Sequence, residues 1–142
     1  MRDFLLGNPT KDYDIATSAT PDQIQTLFPG ALDVGKAFGV IKVPVKSGVL
    51  LEVATFREDL GYSDHRHPKN VRFSGVLEDA VRRDFTVNAF YYDLKACRVL
   101  DAADGMADLE AKKIRAIGDP NERFREDALR LLRAVRFACQ LG

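Results

Sequence analysis

Apolar residues change their period along this chain, and each change marks an element. Residues 40–45 and 49–55 are β-branched, partly alternating runs split by Lys46-Ser47-Gly48, a pattern that predicts an antiparallel hairpin at the centre of a sheet. Residues 12–17 read as a further strand. Thr20-Pro21-Asp22 opens a helix, with threonine as cap, proline at the first position and Ile24, Leu27 and Phe28 as its apolar face. At the start, residues 2–6 form a short helix that Gly7 stops ahead of Asn8-Pro9. Residues 56–73 are charged and lack apolar periodicity, so a long exposed loop is expected there. Residues 77–83 and 106–112 read as helices, 90–93 and 98–100 as a strand pair, and 114–117 as a last short strand. From 121 to 141, Leu129, Leu132, Val135, Phe137 and Leu141 keep helical spacing and predict the longest helix. The expected fold is α+β: a small mixed, largely antiparallel sheet with helices.

Composition narrows the class. With 142 residues and 46% hydrophobic content the chain can bury one core of ordinary domain size. No apolar run approaches the roughly 18 residues of a membrane span, so no membrane partner and a cytoplasmic location are expected. Cys97 and Cys139 lie outside any CxxC spacing, which supports neither a disulfide framework nor a thiolate zinc site. Basic and acidic residues both total 21, so any affinity for nucleic acid has to come from local patches. A helical pattern already running at Met1, and an amphipathic one still running at Leu141, suggest a fragment of a longer chain.

Several clusters carry chemistry. Asp12 and Asp14 are two apart on an expected strand, so their carboxylates share a face. A hard cation such as Mg2+ is held by oxygen ligands together with nucleotide phosphates. Glu52, inside the apolar run Leu50-Leu51-Glu52-Val53-Ala54, is paired, metal-bound or solvent-facing; facing the two aspartates, it becomes a third acid of a phosphoryl-transfer site. Arg82-Arg83-Asp84 offers guanidinium forks for a triphosphate and a carboxylate for a ribose hydroxyl. Asp127, Arg130 and Arg133, with Arg136 continuing the row, recur at helical spacing, and an acid beside an arginine can read a base edge without a template. Each cluster alone also fits an ordinary solvated ion-pair surface. His65 and His67, with no third histidine in the chain, fit a solvated pair better than a metal site.

In order along the chain, these clusters resemble the class II tRNA nucleotidyltransferase and bacterial poly(A) polymerase family. Arg2 to Gly7 followed by Lys11 to Thr17 is similar to its VRDxLLG and DxDxxT signatures. Glu52 to Arg57 is similar to its next strand, Arg82 to Ala89 to RRDFTxNA, and Glu126 to Arg130 to EDxxR. The glycine pair that precedes the first signature in the family has no counterpart before Arg2. The resemblance implies a polymerase β-like head over residues 1–118 and the start of a helical neck over 119–142. It implies Mg2+ on Asp12 and Asp14, with Glu52 beside them. It also implies nucleotide contacts by Arg2, Arg83, Asp84, Asn88, Asp127, Arg130, Arg133 and Arg136, with Asp127 and Arg130 facing the base.

The implied reaction transfers CMP or AMP from CTP or ATP to an RNA 3′ end, as CCA addition to tRNA or, alternatively, as poly(A) addition. Phe90-Tyr91-Tyr92 leans toward the poly(A) spelling and the compact spacing elsewhere toward CCA. A non-catalytic RNA-binding derivative and a truncated fragment with no independent function are the remaining readings, and the oligomeric state is open.

Overall fold

The structure, a computed structural model, describes residues 1–10, 13–46, 48–62, 64 and 67–142. In chain order it contains α1 (Arg2–Leu5), β1 (Asp14–Thr17), α2 (Pro21–Leu27), β2 (Leu32–Gly35), β3 (Val40–Pro44), β4 (Leu50–Thr55), β5 (Arg57–Tyr62) and β6 (Pro68–Phe73). There follow α3 (Val76–Val81), β7 (Phe90–Asp93), β8 (Arg98–Asp101), α4 (Gly105–Glu110), α5 (Pro120–Glu126) and α6 (Leu129–Leu141). The class is α+β, as expected. Contacts divide the chain into a sheet unit, Thr10–Leu60 with Asn70–Asp79, and a helical unit, Met1–Pro9, Gly61–Lys69 and Ala80–Gly142.

The sheet unit is built on four strands in the order β1-β4-β3-β2, with β1 parallel to β4 and the other neighbours antiparallel. The expected hairpin is β3–β4; Ser47 of its turn lies outside the described residues, as do Lys11 and Asp12 at the start of the expected first strand. Because side chains alternate along a strand, Ile41, Val43 and Val53 emerge on one face, where they are buried with Ile24 of α2. That helix begins where Thr20-Pro21 predicted. The Thr20 hydroxyl accepts from the Gln23 amide at 3.4 Å while the Gln23 side chain accepts from the Thr20 amide at 2.8 Å, a reciprocal cap. Thr55 is buried at the end of β4, and its hydroxyl donates to the Ala19 carbonyl at 2.7 Å. β2, a four-residue segment with no buried residue, is not among the elements that the sequence predicts; it joins β3 through a register that shifts between Asp33 and Gly35.

The expected loop over 56–73 is instead the hairpin β5–β6. Neither strand contains a fully buried residue, so no alternation was required of the sequence. Cross-strand charge pairing between Arg72 and Glu58 and a Ser74-to-Phe56 backbone bond at 2.9 Å hold it.

In the helical unit, Phe85, Val87, Phe90, Leu109, Phe137 and Leu141 form the main core, with the Phe85 and Phe137 rings edge to face at 5.9 Å. β7 and β8 pair antiparallel from Phe90–Asp101 to Asp93–Arg98. The Asp101 carboxylate then accepts from the Gly105 and Met106 amides, each at 2.8 Å, and so starts α4. The last strand expected at 114–117 reduces to a single bridge between Phe85 and Ala116. The long helix expected over 121–141 is two helices. Asp127 takes an extended backbone, and its carboxylate accepts from the Leu129 amide at 2.9 Å, so it interrupts one helix and caps the next.

Two features of this unit yield expectations. A methyl group on Gly105 would stand 2.3 Å from the Thr86 carbonyl oxygen, a backbone atom that cannot step aside. Gly105→Ala should therefore cost about 1–3 kcal/mol in chemical denaturation, and an unchanged midpoint would contradict this packing. Asp108 is buried against the Thr86 hydroxyl and the Arg115 guanidinium, both at 2.6 Å. Burial opposes its ionisation, but those two hydrogen bonds and the charge of Arg115 outweigh it and hold its pKa below the ordinary aspartate value. The stabilisation is present above the unfolded-state pKa of about 3.9 and is lost as pH falls through the lower folded value. Asp108→Asn should flatten the acid limb of a stability-versus-pH curve; an identical limb in the variant would remove Asp108 from the account.

Candidate functional site

Each unit holds part of the constellation expected from sequence. In the sheet unit, β1 and β4 run parallel with Asp14 registered against Glu52. Register partners on neighbouring strands point to the same side, and both acids are exposed, on the face opposite Ile41, Val43 and Val53. Glu52 sits on an interior strand, flanked by β1 and β3, so its acid is no accident of a sheet edge. Asp12 lies outside the described residues. Among the described residues no group of three acids, histidines or cysteines is placed to hold a metal, so Asp14 and Glu52 are the two described donors. Two adjacent carboxylates with hard oxygen atoms fit a hydrated divalent cation.

In the helical unit, the segment carrying Arg83, Asp84 and Asn88 is tied into one hydrogen-bonded net. Asp84, only 7% exposed, accepts from the Phe85 amide at 2.8 Å, the Asn88 side-chain amide at 3.0 Å and Arg133 Nε at 2.6 Å. Asn88 in turn accepts through Oδ1 from Arg2 Nη1 at 2.9 Å. Arg83 donates to the Tyr91 hydroxyl at 2.9 Å and the Asn88 carbonyl at 3.2 Å, with its guanidinium over the Tyr91 ring. Around the buried Phe137 ring stand three guanidinium groups, those of Arg2, Arg133 and Arg136, at 4.7, 5.1 and 4.6 Å from its centre. An aromatic face eases their company; Arg2 is paired with Asp3 at 2.9 Å and Arg133 with Asp84 at 2.6 Å, which leaves Arg136 without an ion pair among the described residues.

Asp127 and Arg130 do not pair with each other. Asp127 caps α6, whereas Arg130, 6% exposed, donates to the Glu126 carboxylate and the Arg123 carbonyl, both at 2.8 Å, and to the Tyr62 hydroxyl at 3.3 Å. Burial works against the Arg130 charge, but the bond to Glu126 and the attraction of Tyr62 raise its pKa above the ordinary arginine value. His67 pairs with Asp64 at 2.8 Å on the surface, and His65 lies outside the described residues.

Arg123 was not singled out from sequence. Its guanidinium donates to the carbonyls of Arg82 and Arg83, the latter at 2.7 Å, and pairs with Glu126 at 2.5 Å. It therefore fixes the backbone from which Arg83 and Asp84 project, across some forty residues of sequence. Only the i, i+3 relation to Glu126 was visible beforehand, and that alone signals a surface pair. Arg123→Ala should strand two carbonyls and leave Glu126 with Arg130 alone, and lower stability by about 2–4 kcal/mol in urea; a midpoint within error of the parent would show that these bonds fix nothing.

Residues 1–115 match the family model described as the poly A polymerase head domain. The chain is 49% identical to a CCA-adding enzyme of Geobacillus thermodenitrificans, with all of the chain and 35% of that enzyme aligned. It is 52% identical to a CCA-adding enzyme of Pediococcus pentosaceus, with 99% of the chain and 35% of that enzyme aligned. Among solved structures, the Bacillus stearothermophilus CCA-adding enzyme in complex with CTP superposes with a TM-score of 0.83 at 42% identity, covering 96% of this chain and 32% of that one. A tRNA nucleotidyltransferase complexed with a primer tRNA and an incoming ATP analogue gives 0.71 at 30% identity, covering 96% and 38%. The chain thus spans about a third of the length of the curated relatives it matches.

Proposed function

Because this chain belongs to the poly A polymerase head domain family, we propose that it is the catalytic head of a template-independent nucleotidyltransferase that adds CMP and AMP from CTP and ATP to tRNA 3′ ends. The observation that carries the reading is the in-register pair of exposed acids, Asp14 and Glu52, on neighbouring strands of the sheet unit. The naming of the relatives as CCA-adding enzymes, at about half identity across the whole chain, favours CCA over poly(A) as the product.

Enzymes of this class generally depend on a divalent metal, here Mg2+. Asp12 and Asp14 would hold it, with Glu52 beside Asp14. The chemistry such an ion would supply is activation of the attacking RNA 3′-hydroxyl and stabilisation of the charge that develops as pyrophosphate leaves. The chain's own residues bind and orient. Arg2, Arg133 and Arg136 gather guanidinium charge around Phe137 for the triphosphate, and Arg83 adds a fork beside them. Asp84, hydrogen-bonded by Arg133 and aligned by Asn88, has a carboxylate that can accept from a ribose hydroxyl. Asp127 accepts from the exocyclic amine of cytosine or adenine and Arg130 donates to ring acceptors, once its fork leaves Glu126 and Tyr62. Residues 1–118 constitute the head and 119–142 the start of a helical neck. A tRNA-processing role favours a cytoplasmic location. No helix among the described residues is long and apolar enough to cross a membrane.

The test is Mg2+-dependent incorporation of labelled CTP and ATP into a tRNA lacking its terminal CCA by the full-length protein. Asp12→Ala and Asp14→Ala should each lower the rate by roughly three orders of magnitude. Undiminished incorporation in both variants would sink the assignment, and long adenylate tails without CMP incorporation would establish the poly(A) reading instead.

A further inference from the structure

Lys42 completes a row with the two acids of the sheet unit. β3 places Lys42 opposite Glu52, and β4 places Glu52 opposite Asp14, so the three side chains leave the same face in line. Directly opposed residues hold their Cβ atoms about 5 Å apart, a distance that the flexible four-carbon stem of a lysine can span. Among the described residues, the neighbours that share this face, Leu32, Val40, Pro44, Leu50, Ala16 and Ala54, carry no charge. Lys42 is half-buried, and its ammonium makes no ion pair with another described residue. A cation in an otherwise apolar strand is thus set in line with two acids, its stem on apolar neighbours and its ammonium free to reach toward them.

Charge decides what such a lysine does. Before any metal arrives, its ammonium offsets the repulsion between two adjacent carboxylates. A bare divalent cation approaching those carboxylates is repelled by Lys42, whereas a nucleoside triphosphate carrying its metal is net negative and is attracted. The geometry points to Lys42 as a positioning residue that makes the Asp14–Glu52 acids accept their divalent ion in company with a nucleoside triphosphate rather than as a bare ion. This rests on the metal-holding role proposed above for those acids.

The experiment uses the full-length protein and two readouts of opposite sign. Binding of Mn2+ alone is followed by electron paramagnetic resonance, and the KM for CTP is taken at saturating Mg2+. Lys42→Met and Lys42→Gln should each tighten Mn2+ about three- to tenfold at low ionic strength, and the gain should fade near 1 M salt, where screening acts within about 3 Å. The same variants should raise the KM for CTP severalfold, and Lys42→Arg should restore both values. A lysine that merely supports the sheet would weaken both kinds of binding together, and that result, or an unchanged Mn2+ affinity, overturns the inference. Asp14→Asn separates the two levels of the argument. Mn2+ binding that survives Asp14→Asn overturns the metal role and the lysine inference together, whereas binding that is lost in Asp14→Asn yet indifferent to Lys42→Met overturns the lysine inference alone.

Discussion

The parallel pairing of β1 with β4 is the constraint on which the chemistry of this chain depends. Side chains alternate along a strand, so a register slip of one residue would turn Asp14 and Glu52 to opposite faces and put an acid among Ile41, Val43 and Val53. Burying an unpaired carboxylate there costs several kcal/mol or forces its protonation. The apolar face packed on α2 therefore enforces the register, and the register in turn aligns the acids. Catalytic placement and core packing are two faces of one alternation.

The helical unit solves a different problem, that of carrying charge inside a core. Asp84, Asp108 and Arg130 are all nearly inaccessible, and each is met by at least two partners. Buried ions of this kind add little net stability compared with an apolar replacement, but removing one partner is costly. Their effect is geometric: Arg133 and Arg123 tie α6 and α5 to the segment 82–88, so the arginines and the acid of that segment are presented from a rigid backbone. Arg130 is held differently. Its fork is taken up by Glu126 and Tyr62, so base recognition through it requires an exchange of hydrogen bonds rather than a simple docking.

Local physics made much of this legible beforehand. The β3–β4 hairpin followed from alternation and a turn, the start of α2 from threonine and proline, and the stop of α1 from Gly7. The errors share a cause. β5–β6 buries no face, so it left no periodic trace and read as a loop. The break at Asp127 was hidden because the apolar spacing that predicts the helix lies wholly C-terminal to it, from Leu129 to Leu141, while the event that ends α5 is one side-chain cap. Arg123 looked like a surface arginine because its carbonyl partners lie some forty residues away.

By itself the sequence determined which residue types could do the chemistry, in what order they occur, and which strands and helices carry them, because these follow from composition, period and short motifs. Tertiary structure alone decided that Glu52 stands against Asp14, that Lys42 joins their row, and that Asp127 leaves Arg130 to Glu126 and Tyr62. Strand register and the choice among competing ion-pair partners depend on groups distant along the chain, and no local pattern encodes which of them meet.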